Sequence, residues 1–485
     1  MKNMTIESIA AACGGEIFLN GCGEICQKEI AGVTIDSRKV EKNFLFIATQ
    51  GARVDGHEFI NDAFSRGAAA AVCEKAPDNI QGPYILVKDS LQALKDIAKW
   101  YRAQLDIAVV GITGSVGKTT TKEFIASVLS QKYNTLKTEG NFNNEIGLPL
   151  TVLRIRDHHE VAVLEMGIST FGEMHRLSEI ARPDICVITN IGQCHLETLH
   201  SREGVLKAKT EMFDFMSDSG RGCVCGDDDL LAGLGKVKGA EPIKYGIGAK
   251  NDVYATDIKS NGLFGSTCNI NFRQDCWNNR LFDYKGLSNE PMAAFHVTVP
   301  LPGEFMVRNV LAAASVGILF GLNGAEIAAG IESVRSLGGR SNIIRKGSIT
   351  IIDDCYNANP VSMKAALDLL SMADTRKVAV LGDMFELGVD EIALHAQIGR
   401  YAAARADLLV CAGALAEFLH DGALKALSES PENACDLVYF KTRDELIENL
   451  KSLIKDGDTV LVKASNGMGF KKVVESLLIE LPDSR

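Results

Sequence analysis

The run Val109-Val110-Gly111-Ile112-Thr113-Gly114-Ser115-Val116-Gly117-Lys118-Thr119-Thr120 reads as an apolar strand, a glycine turn and the start of a helix. A strand written as a nearly continuous apolar run and followed by a helix belongs to a parallel sheet covered on both faces. Gly114 and Gly117 let backbone N–H groups converge on phosphate oxygens, and the helix beginning there adds the positive end of its dipole. In such a loop Lys118 reaches the terminal phosphates of a nucleotide and Thr119 offers a hydroxyl to Mg²⁺. The strict G-x-x-x-x-G-K-[ST] spacing fails by one residue, because Gly111 lies too early and Ile112 follows it, so a compact G-x-x-G-K-T form remains. An ordinary glycine turn needs no lysine followed by three threonines. A phosphate loop specifies a nucleotide and leaves the reaction open.

Outward from this loop, apolar runs followed by helical patterns recur at residues 161–166 and 185–189, continuing the strand read at 107–112. Upstream, short strands at 32–38 and 43–48 and a helix over 58–67 make a small α/β module. Downstream, residues 250–300 lose the rhythm and read as an antiparallel appendage ending near Leu301-Pro302-Gly303, before a helix over 308–320. A second series of strands at 349–354, 377–381, 408–412 and 459–463, each leading into a helix, predicts a doubly wound sheet. The expected fold is therefore α/β in three domains. A small α/β N-terminal domain takes 1–105, a central P-loop mononucleotide-binding parallel sheet 106–324, and a C-terminal Rossmann-like doubly wound domain 325–485. A length of 485 residues agrees, at roughly 150 residues per domain.

Composition narrows the function classes. Hydrophobic residues at 46% and charged residues at 23% are those of a globular chain. A net charge of −11, from 51 Lys+Arg against 62 Asp+Glu, argues against a nucleic-acid or anionic-membrane footprint, so an anionic ligand must meet a local site. The longest apolar stretch, 310–322, is far short of the roughly 20 residues of a membrane span. Glu7 interrupts any secretory core in the first residues, and a cytoplasmic protein is expected. The 13 cysteines lack paired C-x-x-C spacing and read as packing residues, with Cys223 and Cys225 too isolated for zinc.

Glu165 ends the strand at 161–166, and His195 lies just past the strand ending at 189. In a parallel sheet both fall at the carboxyl edge beside the phosphate loop. Mg²⁺ accepts Glu readily and His less often, and His195 reads equally well as a loop histidine. On a helix predicted over 202–215, Lys209 has Val205, Leu206, Met212 and Phe213 at three and four residues, so it interrupts an apolar stripe. Lys207, flanked by Glu203, Gly204, Thr210 and Glu211, reads as solvated. A snorkelling stem is the ordinary account of Lys209, whereas a role beside a metal requires the amine to be neutral or chemically modified.

With Thr138-Glu139-Gly140-Asn141-Phe142-Asn143-Asn144-Glu145-Ile146-Gly147, Asp353-Asp354-Cys355-Tyr356-Asn357-Ala358-Asn359-Pro360 and Leu381-Gly382-Asp383-Met384-Phe385-Glu386-Leu387-Gly388, the chain resembles the Mur ligase family over essentially its whole length. These are ATP-dependent amide-forming ligases of peptidoglycan precursor synthesis. The resemblance implies that Gly114, Ser115, Val116, Gly117, Lys118, Thr119 and Thr120 hold ATP phosphates, joined by Asn309, Arg340, Asp353, Tyr356 and Asn357. It implies two Mg²⁺ sites, Thr119 with Glu165 and His195 with a carbamylated Lys209, and a catalytic set of Lys118, Glu165, His195 and Lys209. Ser37, Arg38, Asp55, Gly56 and His57 match a UDP-sugar-binding segment, and Thr138, Asn141, Asn143 and Asn144 match substrate contacts. Without the resemblance, residues 36–38 read as a strand-end turn, Arg340 as a solvated loop arginine and His395 as a helix-surface residue.

The three long motifs point, within the family, to the step joining D-alanyl-D-alanine to a UDP-N-acetylmuramoyl-tripeptide through an acyl phosphate. A cytoplasmic monomer with no nucleic-acid partner is expected, in which residues 325–485 close over the site. A sibling ligase adding a single amino acid is one alternative. A nucleotide-switched binding ATPase is another, although it leaves residues 36–38 and 55–57 unexplained. Phe305 and Met306 stand where many relatives have His-Asn, and Asn466 where relatives commonly have Arg. Neither departure touches the phosphate loop.

Overall fold

Three β-sheets organise the chain, whose structure here is a computed structural model describing residues 1–21, 28–51, 54–75, 79–273, 293–303, 305–335, 342–430 and 434–480. The first sheet runs in the order Glu16–Phe18, Tyr84–Leu86, Ala70–Cys73, Phe44–Ile47, Gly32–Thr34, parallel except for its first strand. The strand expected over 32–38 stops at Thr34 because the Asp36 carboxylate accepts the Arg38 N–H at 3.1 Å and turns the chain into a 3-10 segment, Ser37–Lys39. The helix expected over 58–67 is likewise split. Asp55 accepts the His57 N–H and starts a 3-10 turn, Gly56–Phe59, before the α-helix Ile60–Ser65.

The central sheet has nine strands, in the order Phe295–Val299, Ser266–Phe272, Val253–Ser260, Ile243–Gly246, Arg221–Cys225, Ile185–Ile188, Ala108–Thr113, Val161–Glu165, Thr135–Lys137. The seven from Val253–Ser260 onward are mutually parallel, and the two beyond it pair antiparallel. The expected antiparallel appendage is therefore a continuation of the central sheet, and its residues 274–292 lie outside the described residues. Every residue of Ala108–Thr113 is buried, as a strand covered by helices on both faces must be. The helix Phe305–Leu319, packed on the helix Lys118–Leu129 and on the strands from Arg221–Cys225 to Phe295–Val299, starts earlier than expected and is buried on nearly all sides, which explains its lack of a polar face. The helix expected over 202–215 is α only over Arg202–Thr210 and tightens to a 3-10 turn over Glu211–Phe213. One apolar cluster joins the inner face of the first sheet to the central sheet.

The third sheet runs Asn342–Lys346, Ile349–Asp353, Thr459–Lys463, Lys377–Gly382, Leu408–Ala412, Asp436–Phe440, parallel but for the antiparallel edge strand Asn342–Lys346. Separate apolar clusters cover its two faces, the doubly wound arrangement expected. Thr459–Lys463 is inserted between Ile349–Asp353 and Lys377–Gly382, so the order switches there. The carboxyl ends of these three strands carry Asp354, the 383–388 loop and Lys463, in the crevice where such sheets bind ligands. Among the described residues no helix is long and apolar enough to cross a membrane.

His395 is fully buried, not on a helix surface: Nε2 accepts the Met384 N–H at 2.9 Å and Nδ1 lies 2.6 Å from the Glu391 carbonyl oxygen. That pairing makes Nδ1 the protonated nitrogen and the ring neutral. Burial depresses its pKa below the ordinary 6.5. The unfolded chain therefore takes up this proton first, and stability falls as pH drops below about 6.5. Urea unfolding at pH 7.5 and 5.5 should show a smaller acid loss for His395→Gln than for the parent chain. The variant should itself be about 1 kcal/mol less stable at pH 7.5, because a flexible glutamine amide loses more side-chain freedom than the ring when it takes the ring's place as acceptor for the Met384 N–H.

Candidate active site

The helix Lys118–Leu129 begins at Gly117, whose φ of +84° is left-handed. Its cap carries no side-chain bond, so the N–H groups of the first turn point outward without intrahelical partners. The preceding loop is fastened to the segment after Ile185–Ile188. Ser115 N–H donates to the Asn190 carbonyl (3.1 Å) and Val116 N–H to Asn190 Oδ1 (3.0 Å), while Thr189 Oγ1 and Asn190 Nδ2 both donate to the Val116 carbonyl (2.6 and 2.9 Å). The Ser115 and Val116 amides thus build the scaffold, and the helix Lys118–Leu129 turns the positive end of its dipole toward the loop. Gly114, at φ +149°, passes so close to Thr189 that an added Cβ would lie 1.9 Å from its Oγ1. Gly114→Ala should therefore displace the loop, and equilibrium dialysis with ATP should show at least a tenfold loss of affinity.

Glu165, 1% exposed, ends its strand under the loop. Thr119 Oγ1 donates to its Oε2 at 2.8 Å, Asn143 Nδ2 donates to Oε1 at 2.9 Å, and its own N–H is held by Thr138 Oγ1 at 3.0 Å. Two hard oxygen donors, Thr119 Oγ1 and Glu165 Oε2, buried beside a phosphate loop, fit Mg²⁺. Lys122, one helical turn beyond Lys118, was not singled out from sequence. It is 1% exposed, donates to the Thr138 carbonyl at 2.7 Å and approaches Glu165 Oε2 at 3.9 Å. The i,i+4 spacing from Lys118 was the signal that could have found it.

Lys118 and Lys209 both donate to the Gly114 carbonyl, at 2.7 and 3.1 Å. Lys209 is 1% exposed and makes no ion pair among the described residues. Burial pushes it down to about 8, with Cys194 opposing and the Lys118 ammonium adding to the shift. As an ammonium it does not fit a cation site, whereas as a carbamate it supplies anionic oxygen. His195 is half-buried with Nδ1 3.0 Å from Glu386 Oε2, and burial lowers its pKa against the opposing pull of that carboxylate. No group of three or more His, Cys, Asp and Glu able to hold a metal occurs among the described residues.

The phosphate loop, Glu165 and His195 open onto a cavity of about 720 Å³ between the central and third sheets. It gathers Ser115, Val116, Gly117, Lys118, Thr120, Asn141, Asn143, Asn144, Glu165 and His195 from one side and Tyr356 and Asn357 from the other. Thr119 and Thr138 hold Glu165 from below, while Gly114, Lys209, Asn309 and Asp353 are buried outside the lining. Asn309 accepts from Thr121 Oγ1 at 3.1 Å and backs Gly117. Asn144 Oδ1 accepts the Ile146 and Gly147 N–H groups at 3.2 and 2.9 Å, ahead of the helix Gly147–Val152. Phe305, Met306 and Asn466, the departures from the family pattern, all line the cavity. Arg340 lies outside the described residues.

Lys463 was also missed, although a lysine closing an apolar strand at the carboxyl edge is a readable signal. It pairs with Asp354 at 2.5 Å and donates to the Asn357 carbonyl at 3.0 Å, fixing the 354–357 turn. In the first sheet's loops, Arg38 Nε pairs with Asp36 Oδ1 at 2.9 Å. His57 is buried, with Nδ1 2.6 Å from Asp55 and Nε2 accepting the Glu74 N–H at 2.9 Å, so both ring nitrogens are occupied. Ser37, Arg38, Asp55, Gly56 and His57 do not line this cavity.

Three family models match the chain: "Mur ligase family, catalytic domain" over residues 29–102, "Mur ligase middle domain" over 112–317 and "Mur ligase, glutamate ligase domain" over 339–466. The chain belongs to the Mur ligase family, and its three-sheet α/β architecture is that of this family's solved members. Among curated proteins it is 37% identical over 458 residues to the UDP-N-acetylmuramoyl-tripeptide–D-alanyl-D-alanine ligase of Bacillus subtilis (strain 168), covering 93% of this chain and 94% of that one. A crystal structure of MurF from Acinetobacter baumannii superposes with a TM-score of 0.85 at 31% identity, over 98% of both chains. MurF ligase from Thermotoga maritima in complex with ADP gives 0.76 at 27% identity, over 93% of this chain and 98% of that one.

Proposed function

We propose that the chain joins D-alanyl-D-alanine to UDP-N-acetylmuramoyl-tripeptide with ATP as phosphoryl donor. The observation that carries this reading is the single cavity in which the phosphate loop and Glu165 of the central sheet face the 354–359 turn and the 385–387 loop of the third. The near full-length similarity to enzymes bearing that name supports the choice of step. The terminal carboxylate of the tripeptide attacks the γ-phosphorus and ADP departs, leaving an acyl phosphate. The dipeptide's free amine then attacks the acyl carbon, and the tetrahedral species collapses to amide and phosphate.

Lys118 and the first-turn amides face the negative charge gathered between phosphate and carboxylate, a positioning and electrostatic role without a protein nucleophile. Thr119 and Glu165 would hold one Mg²⁺, and His195 with a carbamylated Lys209 a second. Bound there, Mg²⁺ offsets charge on the transferring phosphoryl group. Lys463 keeps the acceptor side of the cavity in shape by clamping Asp354 and Asn357. In this reading residues 1–105 bind the UDP-sugar, 106–324 bind ATP and 325–485 contribute to ATP and dipeptide binding, with water excluded before the acyl phosphate forms. The enzyme works as a cytoplasmic monomer, a location supported by the free state of every described cysteine.

The test is phosphate release from ATP with UDP-tripeptides ending in meso-diaminopimelate or lysine, offered D-alanyl-D-alanine or single amino acids. Release that requires both a UDP-tripeptide and the dipeptide is expected. Release with single amino acids would move the chain to a sibling step, and slow release indifferent to any UDP-peptide would make it a nucleotide-switched ATPase.

A further inference from the structure

Among the described residues that line the cavity, the most exposed large apolar side chain is that of Phe385, at 42%. The reaction above gives it no task. Its backbone is held on both sides, because the Phe385 N–H donates to Ser465 Oγ at 2.9 Å, the Met384 N–H to buried His395 at 2.9 Å, and the Ser465 N–H to the Asp383 carbonyl at 3.0 Å. Asp383 and Ser465 are both buried, and Asp383 Oδ1 accepts the Ala416 N–H at 2.7 Å. The ring itself rests on Gly467, where an added Cβ would lie 3.0 Å from Phe385 Cε2. A phenyl ring is therefore presented to the cavity on a fixed frame.

Three contacts place this ring along the nucleotide. The Lys118 ammonium, which meets the terminal phosphates, donates to the Gly114 carbonyl at 2.7 Å. Next to it, Ser115 Oγ accepts the Gly192 N–H at 2.8 Å and the Cys194 thiol at 3.1 Å, which fastens the 192–195 segment to that end of the phosphate loop. Glu386, the neighbour of Phe385, brings Oε2 within 3.0 Å of His195 Nδ1, and an added Cβ on Gly388 would lie 3.4 Å from the Glu197 nitrogen. The 385–388 loop thus covers the terminal-phosphate end of the cavity, where the acyl phosphate forms and the acceptor amine must arrive. The base of the nucleotide lies a triphosphate's length away.

We propose that Phe385 determines acceptor specificity by packing its ring on a methyl group of the D-alanyl-D-alanine dipeptide. The phosphate, carboxylate and amine that meet at this end are polar, and the tripeptide approaches from the 141–144 loop of the central sheet. The two methyl groups of the dipeptide are then the apolar surface that a phenyl ring on the third sheet can cover. This inference rests on the reaction given under the proposed function.

The experiment measures kcat/KM for D-alanyl-D-alanine, glycyl-D-alanine and D-alanylglycine, by phosphate release from the full chain with ATP and a UDP-tripeptide. In the parent, loss of the methyl beneath the ring should cost about tenfold, the lower end of what one apolar carbon in a pocket is worth. In Phe385→Ala that cost should shrink below about twofold, while the cost of losing the other methyl and the KM values for ATP and UDP-tripeptide stay as in the parent. Phe385→Leu keeps an apolar contact and should retain most of the preference. Gly467→Ala pushes the ring aside without truncating it, and should lose the same preference as Phe385→Ala. If Phe385→Ala and Gly467→Ala both keep the parent's preference for each methyl, the specificity role is overturned and the reaction stands. A change confined to the KM for ATP or for UDP-tripeptide assigns the ring to that ligand and overturns the role equally. If the parent does not ligate D-alanyl-D-alanine, both readings fall.

Discussion

Lys118→Ala is expected to lower the rate of ligation by about 10³-fold while leaving the fold intact, in line with the loss of a cation aimed at a transferring phosphoryl group. The stability side of this expectation follows from one oxygen. The Lys118 ammonium donates to the Gly114 carbonyl at 2.7 Å, and Lys209 donates to the same carbonyl at 3.1 Å, so truncation of Lys118 does not orphan that oxygen. The side chain is half-buried at the cavity wall, and its removal opens space already in contact with solvent. Unfolding free energy should therefore change by less than about 1 kcal/mol. Lys118→Arg should recover little, because a planar guanidinium cannot take the place of a compact ammonium between a carbonyl and phosphate oxygens. Phosphate release at saturating substrates, with circular dichroism melts on the same samples, measures both quantities. Retained ligation in Lys118→Ala would remove the loop at 114–120 from the reaction.

The phosphate loop and its partners differ from the rest of the site in how directly the chain encodes them. Strand Ala108–Thr113 announces itself because burial on both faces demands an unbroken apolar run. Once that strand is known to be parallel to its neighbours, Glu165 and His195 must fall at the carboxyl edge, because each follows a similar run. Lys209 was legible for a related reason: a charged residue within an apolar helical stripe marks a buried cation, and it is 1% exposed. Periodicity reports which face of an element is covered, and nothing about which loop of another sheet will meet it. Glu386 lay beyond reach on that ground, since its approach to His195 joins chain segments that share no pattern. The early end of the strand at Thr34 was hidden in a side chain, Asp36, whose bond to the Arg38 N–H overrides an extended propensity. His57 matches a substrate-binding segment by motif, yet its two ring nitrogens are occupied by Asp55 and Glu74, a role that motif matching does not distinguish from contact with a ligand.

Lys209→Ala is the variant that separates a packing lysine from a carbamylated one. An ammonium held at 1% exposure on a single carbonyl, with another ammonium beside it, is a costly arrangement unless it is altered. Burial lowers its pKa to about 8, so at pH 7 about one molecule in ten carries the neutral amine, against about one in 3,000 for an ordinary lysine. Only the neutral amine attacks CO₂, forming the N–C bond and losing a proton to give a carbamate whose oxygens can face a cation. Truncation to alanine removes those oxygens, and ligation should fall by about 10²-fold or more, the scale of losing one charge-stabilising group. The vacated space beneath Gly114 then admits a short carboxylic acid with the same charge. Acetate or formate at tens of millimolar should restore part of the activity to Lys209→Ala and none to Lys118→Ala. At limiting bicarbonate the parent enzyme should gain activity as pH rises toward about 8, because deprotonation of Lys209 precedes carbamylation. The acetate-rescued variant lacks the amine and should lack that rise. A folded Lys209→Ala enzyme that no carboxylic acid revives, or one that ligates at the parent rate, would return Lys209 to the role of a buried stem.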